Sequence, residues 1–213
     1  MGMISALGVG VGLAAACGFR VFVPLLVLSV AVRAGLVEPG AAMAWVGSLP
    51  AVMALATASV LEVAGYYVPW VDHALDVVAT PAAAVAGGLA LAVPLLGSAA
   101  HVDPMLTGAA SLLAGGGLAA TVQLGTVALR AGSTATTGGL GNPVVATAEN
   151  TAASVLAVVA VVAPIVVGLV LLAAAWLAWR MWFGRRGRGA AADDRQDHDR
   201  AATVGATRLI QNV

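Results

Sequence analysis

MISALGVGVGLAAACGFRVFVPLLVLSVAV, residues 3–32, carries a single charged side chain, Arg20, among thirty positions. One helix over this stretch would be about 45 Å long at 1.5 Å per residue, against a bilayer hydrocarbon core of about 30 Å. The stretch must therefore tilt, kink or break. Cys17, Gly18, Phe19 and Arg20, followed by Pro24, supply a weak point and a charge near its middle. It has no positive n-region and its apolar run continues past Cys17, so it reads as an uncleaved first span rather than a signal peptide. A lipoprotein-type cleavage at Cys17 is disfavoured by Ala14, where such signals usually carry Leu.

The rest of the chain has the same character. It is 61% hydrophobic, 9% charged and has a mean hydropathy of +0.98, whereas a soluble domain uses about a quarter charged residues. Such a composition cannot be enclosed by a water-facing surface. The apolar runs are continuous and rich in Ala, Leu, Val and Gly, not alternating as barrel strands would be. The expected fold class is an all-α polytopic transmembrane helix bundle, in which helices satisfy every backbone polar group internally.

A second apolar segment runs from about Ala41 to Tyr67 and ends in Tyr66 and Tyr67, with Trp70 close by, as expected at a membrane interface. The third covers about Ala74 to Ser98 and the fourth about Met105 to Ala131. Gly132 to Gly141, rich in Gly, Ser and Thr, reads as a loop. Asn142 to Phe183 is too long for one perpendicular span. Either a half-helix or re-entrant piece from Pro143 to about Thr151 precedes the last span, or two short spans turn near Pro164. The preferred layout has five spans plus a re-entrant or broken segment, with six as the competitor. Trp176, Trp179 and Trp182 mark the last interface, and the arginines after it, including Arg185, Arg186 and Arg188, place that end in the cytoplasm. The transmembrane domain is thus 1–183, and 184–213, with almost no apolar content, reads as a disordered cytoplasmic tail.

The sequence also echoes itself. Ala31, Val32, Arg33, Ala34 and Gly35 correspond to Ala128, Leu129, Arg130, Ala131 and Gly132, and each set is followed by a proline and an acid: Pro50 and Glu62, then Pro143 and Glu149. This suggests a two-fold internal repeat with halves 3–98 and 105–183, the design of many transporters.

Ionisable groups at membrane depth cost about 2.5 to 3.5 kcal/mol each on insertion scales, so they face a partner or a cavity. Arg20 is the most central, with Glu62, Asp76 and Glu149 as candidate partners. Glu62, one turn from Tyr66, could instead snorkel to the headgroups. Asp72 and Asp76, four apart, share a face if helical, either as cation ligands or as a cap. Asn142 followed by Pro143 reads as a helix cap and first turn, or as a pore lining if the piece is re-entrant. The candidate ion or substrate pathway is therefore Arg20, Glu62, Asp72, Asp76, Asn142 and Glu149. Gly8 and Gly12, and Gly115 to Gly117, point to close helix contacts.

Several classes are excluded. No phosphate-cradling loop, nucleophile elbow or zinc-protease helix is present. His73 and His101 are isolated, one cysteine allows no intrachain disulfide, and no basic patch is interleaved with aromatics. The expectation is no enzyme, no cofactor, no metal and no nucleic acid. The partners are the lipid bilayer of the cell membrane and anionic lipid at Arg185, Arg186 and Arg188; a homo-oligomer is compatible with all of this.

Together, Gly18, Phe19, Arg20 and Pro24, then Glu62, Tyr66, Tyr67, Pro69, Asp72, Asp76 and Pro81, then Gly138, Asn142, Pro143 and Glu149 resemble the membrane family known as domain of unknown function 4126, across about residues 3 to 180. The resemblance implies a multi-pass membrane protein and no established activity. Asn150 and Thr151 stand where a second acid after Glu149 would be expected from it. Two readings follow: a small transporter or channel for an ion or small solute, or a non-transporting membrane scaffold whose buried charges fix helix packing.

Overall fold

A computed structural model describes residues 1–98, 102–177, 179 and 180, with the backbone alone at positions 69, 70, 72, 73 and 76. The described residues are all-α and contain no strand. In chain order the helices are α1 (Met3–Cys17), α2 (Phe22–Arg33), a 3₁₀ turn (Ala41–Gly47), α3 (Leu49–Gly65), α4 (Pro69–Ser98), α5 (Pro104–Thr137), α6 (Asn142–Val162) and α7 (Pro164–Leu177). By contact density the chain divides into 1–169 and 170–213. The second unit, where described, is helical and holds Arg180 over the ring of Trp176 at 5.5 Å. The tail 184–213, Trp182 and Arg185, Arg186 and Arg188 lie outside the described residues.

The first apolar stretch breaks, as its length requires. The helical ladder of α1 ends with the Gly18 and Phe19 amides donating to Ala15 and Ala16 carbonyls, and α2 starts at Phe22. A Cβ at Gly18 would overlap the Val122 side chain of α5, so the turn needs glycine for close approach. Among the described residues three helices are long and apolar enough to cross a membrane: Val77–Ser98 within α4, α5 and α6. The 3₁₀ turn and α3, bent by 59°, add a fourth if taken as one span. Among the described residues fewer than five helices reach spanning length, because the first apolar stretch breaks after Cys17 and α6 ends ahead of Pro164. α1, α2 and α7 are short apolar helices.

Three boundaries differ from the sequence reading. Gly132 to Gly141 is not all loop: α5 continues to Thr137, and only four residues, turned by the positive φ of Gly138 and Gly139, join it to α6. The hydroxyls of Thr136 and Thr137 fold back onto the carbonyls of Gly132 and Ser133, so these residues stay helical instead of competing with the helix. No break occurs near Thr151 either, since α6 runs unbroken from Asn142 to Val162. It ends at Ala163, where the following Pro164 disfavours helical backbone. Finally, Gly141 rather than Asn142 takes the cap position of α6, and the Asn142 amide donates to Thr134 Oγ1 at 3.2 Å.

The inside and outside of the first unit are inverted relative to a soluble protein. Its fully buried residues are mostly small, among them Ala14, Ala16, Ala83, Ala90, Ala119, Ala153, Ala157 and Ala160. Large apolar side chains such as Val77, Leu113, Leu124, Val155 and Val158 stand exposed. This is the pattern of apolar helices consistent with a membrane protein, where Ala and Gly let backbones approach and Leu and Val face outward. α4 and α5 form the most extensive pair, and α1 packs against α4, α6 and α5. The close contacts expected of glycine occur at Gly8 against Pro164, Gly12 against Ala160 and Val167, and Gly115 and Gly116 against α4. Gly117 faces open space.

Candidate functional site

The break between α1 and α2 leaves the first amides of α2 without helical partners. Glu62 of α3 supplies them: its carboxylate accepts from Val21 N at 2.7 Å and Phe22 N at 2.9 Å. Glu62 is 7% exposed and does not snorkel. A carboxylate at a helix N-terminus is favoured both by these hydrogen bonds and by the helix dipole.

The same break turns the Arg20 side chain toward α6. Arg20 is 2% exposed, and all three nitrogens of its guanidinium are engaged. Nη1 donates to Glu149 Oε2 at 2.9 Å and to the Phe19 carbonyl at 3.0 Å, Nη2 to the Ala146 carbonyl at 3.2 Å, and Nε to Asn150 Oδ1. Glu149 is therefore a partner of Arg20, whereas Glu62 is engaged with the start of α2 and the side chain of Asp76 lies outside the described residues. Glu149 also accepts from a second arginine: Arg130 of α5 donates from Nε to Oε1 at 3.2 Å and from Nη2 to Oε2. Charge-assisted bonds of this kind, with an arginine fork addressing both oxygens, are among the stronger polar contacts a protein makes.

Tyr66 completes the cluster. It caps the C-terminal end of α3, one turn after Glu62, and is buried, with the Arg20 and Arg130 guanidinium carbons 3.8 and 4.1 Å from its ring centroid. A cation over an aromatic face is attracted by the ring quadrupole. From this cluster a line of polar side chains reaches the surface. Asn150 Nδ2 donates to Tyr67 Oη at 3.4 Å, and Tyr67 Oη lies 2.9 Å from Thr147 Oγ1; Tyr67 and Thr147 are exposed.

Of the six residues expected from sequence, the structure brings together Arg20, Glu62 and Glu149. Asn142 lies two turns before Glu149 on α6 and is tied to Thr134 instead. Asp72 and Asp76 sit four apart in the first turns of α4, which begins ahead of both at Pro69; their side chains lie outside the described residues, as does His101. Arg130, Tyr66 and Asn150 were not among the expected site residues. Arg130 stands seven residues after Gln123, and both are buried on one face of α5. That spacing could have revealed it had the helix been continued past Ala131. The two arginines of the echo differ, since Arg33 is exposed at the end of α2.

On the same face as Arg130 and N-terminal to it, α5 buries Thr107, Ser111, Gly115, Ala119, Gln123 and Thr126 in one stripe. From Thr107 to Arg130 it is about 35 Å long at 1.5 Å per residue. The Ser111 hydroxyl is buried in it without a hydrogen-bond partner among the described residues.

Residues 7–183 match the family described as Domain of unknown function (DUF4126). No curated protein and no solved structure matches the chain.

Proposed function

The chain belongs to the DUF4126 family, whose description assigns no activity, and from that premise we propose an integral membrane protein that passes a small charged solute through the cluster around Arg20 and Glu149. One observation carries this reading: two arginines and a glutamate converge inside a bundle of apolar helices, joined by Asn150 to the exposed Tyr67 and Thr147. A buried ion pair is a poor device for stability, because apolar replacements of similar volume are often as stable. Charges at membrane depth are better accounted for by a task.

The stripe on α5 supports a path across the layer, being about as long as the hydrocarbon core is thick. It is closed at its middle, where Gly115 meets the Gly87 carbonyl of α4, so passage requires α4 and α5 to separate there. In this reading there are five crossings: α1 with α2, the 3₁₀ turn with α3, then α4, α5 and α6. The arginine-rich C-terminal end lies on the cytoplasmic side of the cell membrane. The two-fold repeat is supported by its acids, since Glu62 and Glu149, one from each half, both meet the junction at Arg20 and Val21.

A second reading, the scaffold, is favoured by the engagement of all three Arg20 guanidinium nitrogens with protein acceptors. Purified protein in liposomes separates the two. Flux of a charged solute that is lost in Arg20→Ala and reduced in Arg20→Lys, both variants still folded, supports transport. A folded wild type that moves no cation, anion or neutral probe leaves the scaffold.

A further inference from the structure

Glu62 and Glu149 each occupy a place suited to an anion, but they differ in what would remain without them. The place of Glu62 is a helix start, two amides of α2. The place of Glu149 is a pair of guanidiniums with support of their own. Arg20 is held by the Phe19 and Ala146 carbonyls and by Asn150 Oδ1, and both arginines rest on Tyr66. Their position does not depend on Glu149 alone. A preorganised pair of arginine forks matches a carboxylate in geometry and charge, which a lysine pair would not.

We infer that Glu149 is a tethered occupant of a binding site for a small carboxylate, and that the free carboxylate replaces it on Arg20 and Arg130 when Glu149 takes up a proton. The inference rests on the transport reading above and names its substrate class. The ligand must be small, because the cradle is enclosed: Arg20, Arg130, Tyr66 and Glu149 are all buried. Entry is by the edge where Asn150 meets Tyr67 and Thr147.

The charges balance. A proton from the medium adds to one oxygen of Glu149, which becomes neutral and releases the guanidiniums; the incoming carboxylate brings one negative charge to the same donors. The total charge of the site is unchanged, and one proton crosses with each carboxylate, so the cycle moves no net charge. The titratable and charged groups facing Glu149 among the described residues are Arg20 at the break, Arg130 of α5 and Tyr66 at the end of α3. Glu62, a turn from Tyr66, is engaged with α2, and Cys17 is buried at the end of α1.

The test is uptake of labelled lactate by proteoliposomes, with rubidium and glycerol as comparison probes, over a range of outside pH. The expected wild-type result is lactate uptake that is insensitive to membrane voltage. It should fall about tenfold per unit of rising outside pH where protonation limits the rate. In Glu149→Gln, which carries no charge to neutralise, lactate uptake should persist and lose that pH response. Should this variant fail to fold, Glu149→Asp keeps the charge on a shorter arm and should displace the pH response while preserving the preference for lactate. Uptake of rubidium or glycerol without lactate overturns the inference and leaves the transport reading standing. So does lactate uptake with the same pH response in wild type and in the variant that folds. No uptake of any probe overturns both.

Discussion

The contact between α4 and α5 and the junction around Arg20 are both buried and both join helices, but they are built from opposite materials. Between α4 and α5, backbones nearly touch: a Cβ on Gly116 would stand 2.6 Å from the Ala84 carbonyl oxygen, and one on Gly87 would stand 2.5 Å from that of Gly115. At the junction, by contrast, long charged side chains from the break, α5 and α6 meet on the Tyr66 ring at the end of α3. Lipid tails are as apolar as Leu, so burying oily surface gives no drive for helices to associate in a bilayer. What remains is dispersion at very short range, or polar groups that must find one another. The two should fail differently, the first by volume and the second by charge.

The largest effect belongs to the charge. Glu149→Ala leaves two buried guanidiniums without their shared carboxylate, and removing one partner of a buried ion pair costs about 3–5 kcal/mol. Thermal unfolding in detergent should show a large loss of Tm, with part of it recovered by added formate but not by chloride. A Tm within a degree or two of wild type would mean that the junction is not the charged core described, and the contrast between the regions would disappear.

That contrast was only half visible in the sequence. The break in the first segment followed from its length and from Gly18, Arg20 and Pro24, and the small-residue contacts followed from glycine spacing. The pairing of Arg20 was narrowed to three acids because a charge in an apolar run must find a counter-charge. Choosing among them needed α6 in three dimensions, since Glu149 is 129 residues away in the chain. Arg130 was missed for a local reason: Ser133, Thr134, Thr136 and Thr137 read as loop formers in water. In the structure Thr136 and Thr137 send their hydroxyls back to helix carbonyls and carry α5 onward for six residues past Ala131. Tyr66 and Tyr67 were read together as an aromatic pair at the interface; in the turn that follows α3, one residue separates an exposed ring from one buried under two arginines.

The packing side of the comparison is probed by Gly116→Ala. Its new methyl meets backbone of α4 rather than a flexible side chain, so the helices must move apart along the contact. Overpacking of this kind costs about 1–3 kcal/mol. The expected Tm loss is smaller than that of Glu149→Ala, and insensitive to formate. Equal sensitivity to formate in both variants would mean that the two regions fail as one unit.

The smallest effect has the opposite sign and comes from the adjacent residue. Gly117 has no atom within 4 Å of where its Cβ would stand, and it lies inside α5 with no positive φ to preserve. Gly117→Ala should therefore add only the helix preference of alanine, about 0.5–1 kcal/mol, and raise Tm slightly. Two neighbouring glycines given the same methyl group would then move Tm in opposite directions. Such a split follows only if α5 turns one face to α4 and the other outward. Were Gly117→Ala to lower Tm as Gly116→Ala does, the outward face of α5 would be covered by another helix at backbone distance, and a cross-linking series at exposed Leu113 and Leu124 would identify a second copy of the chain as its source.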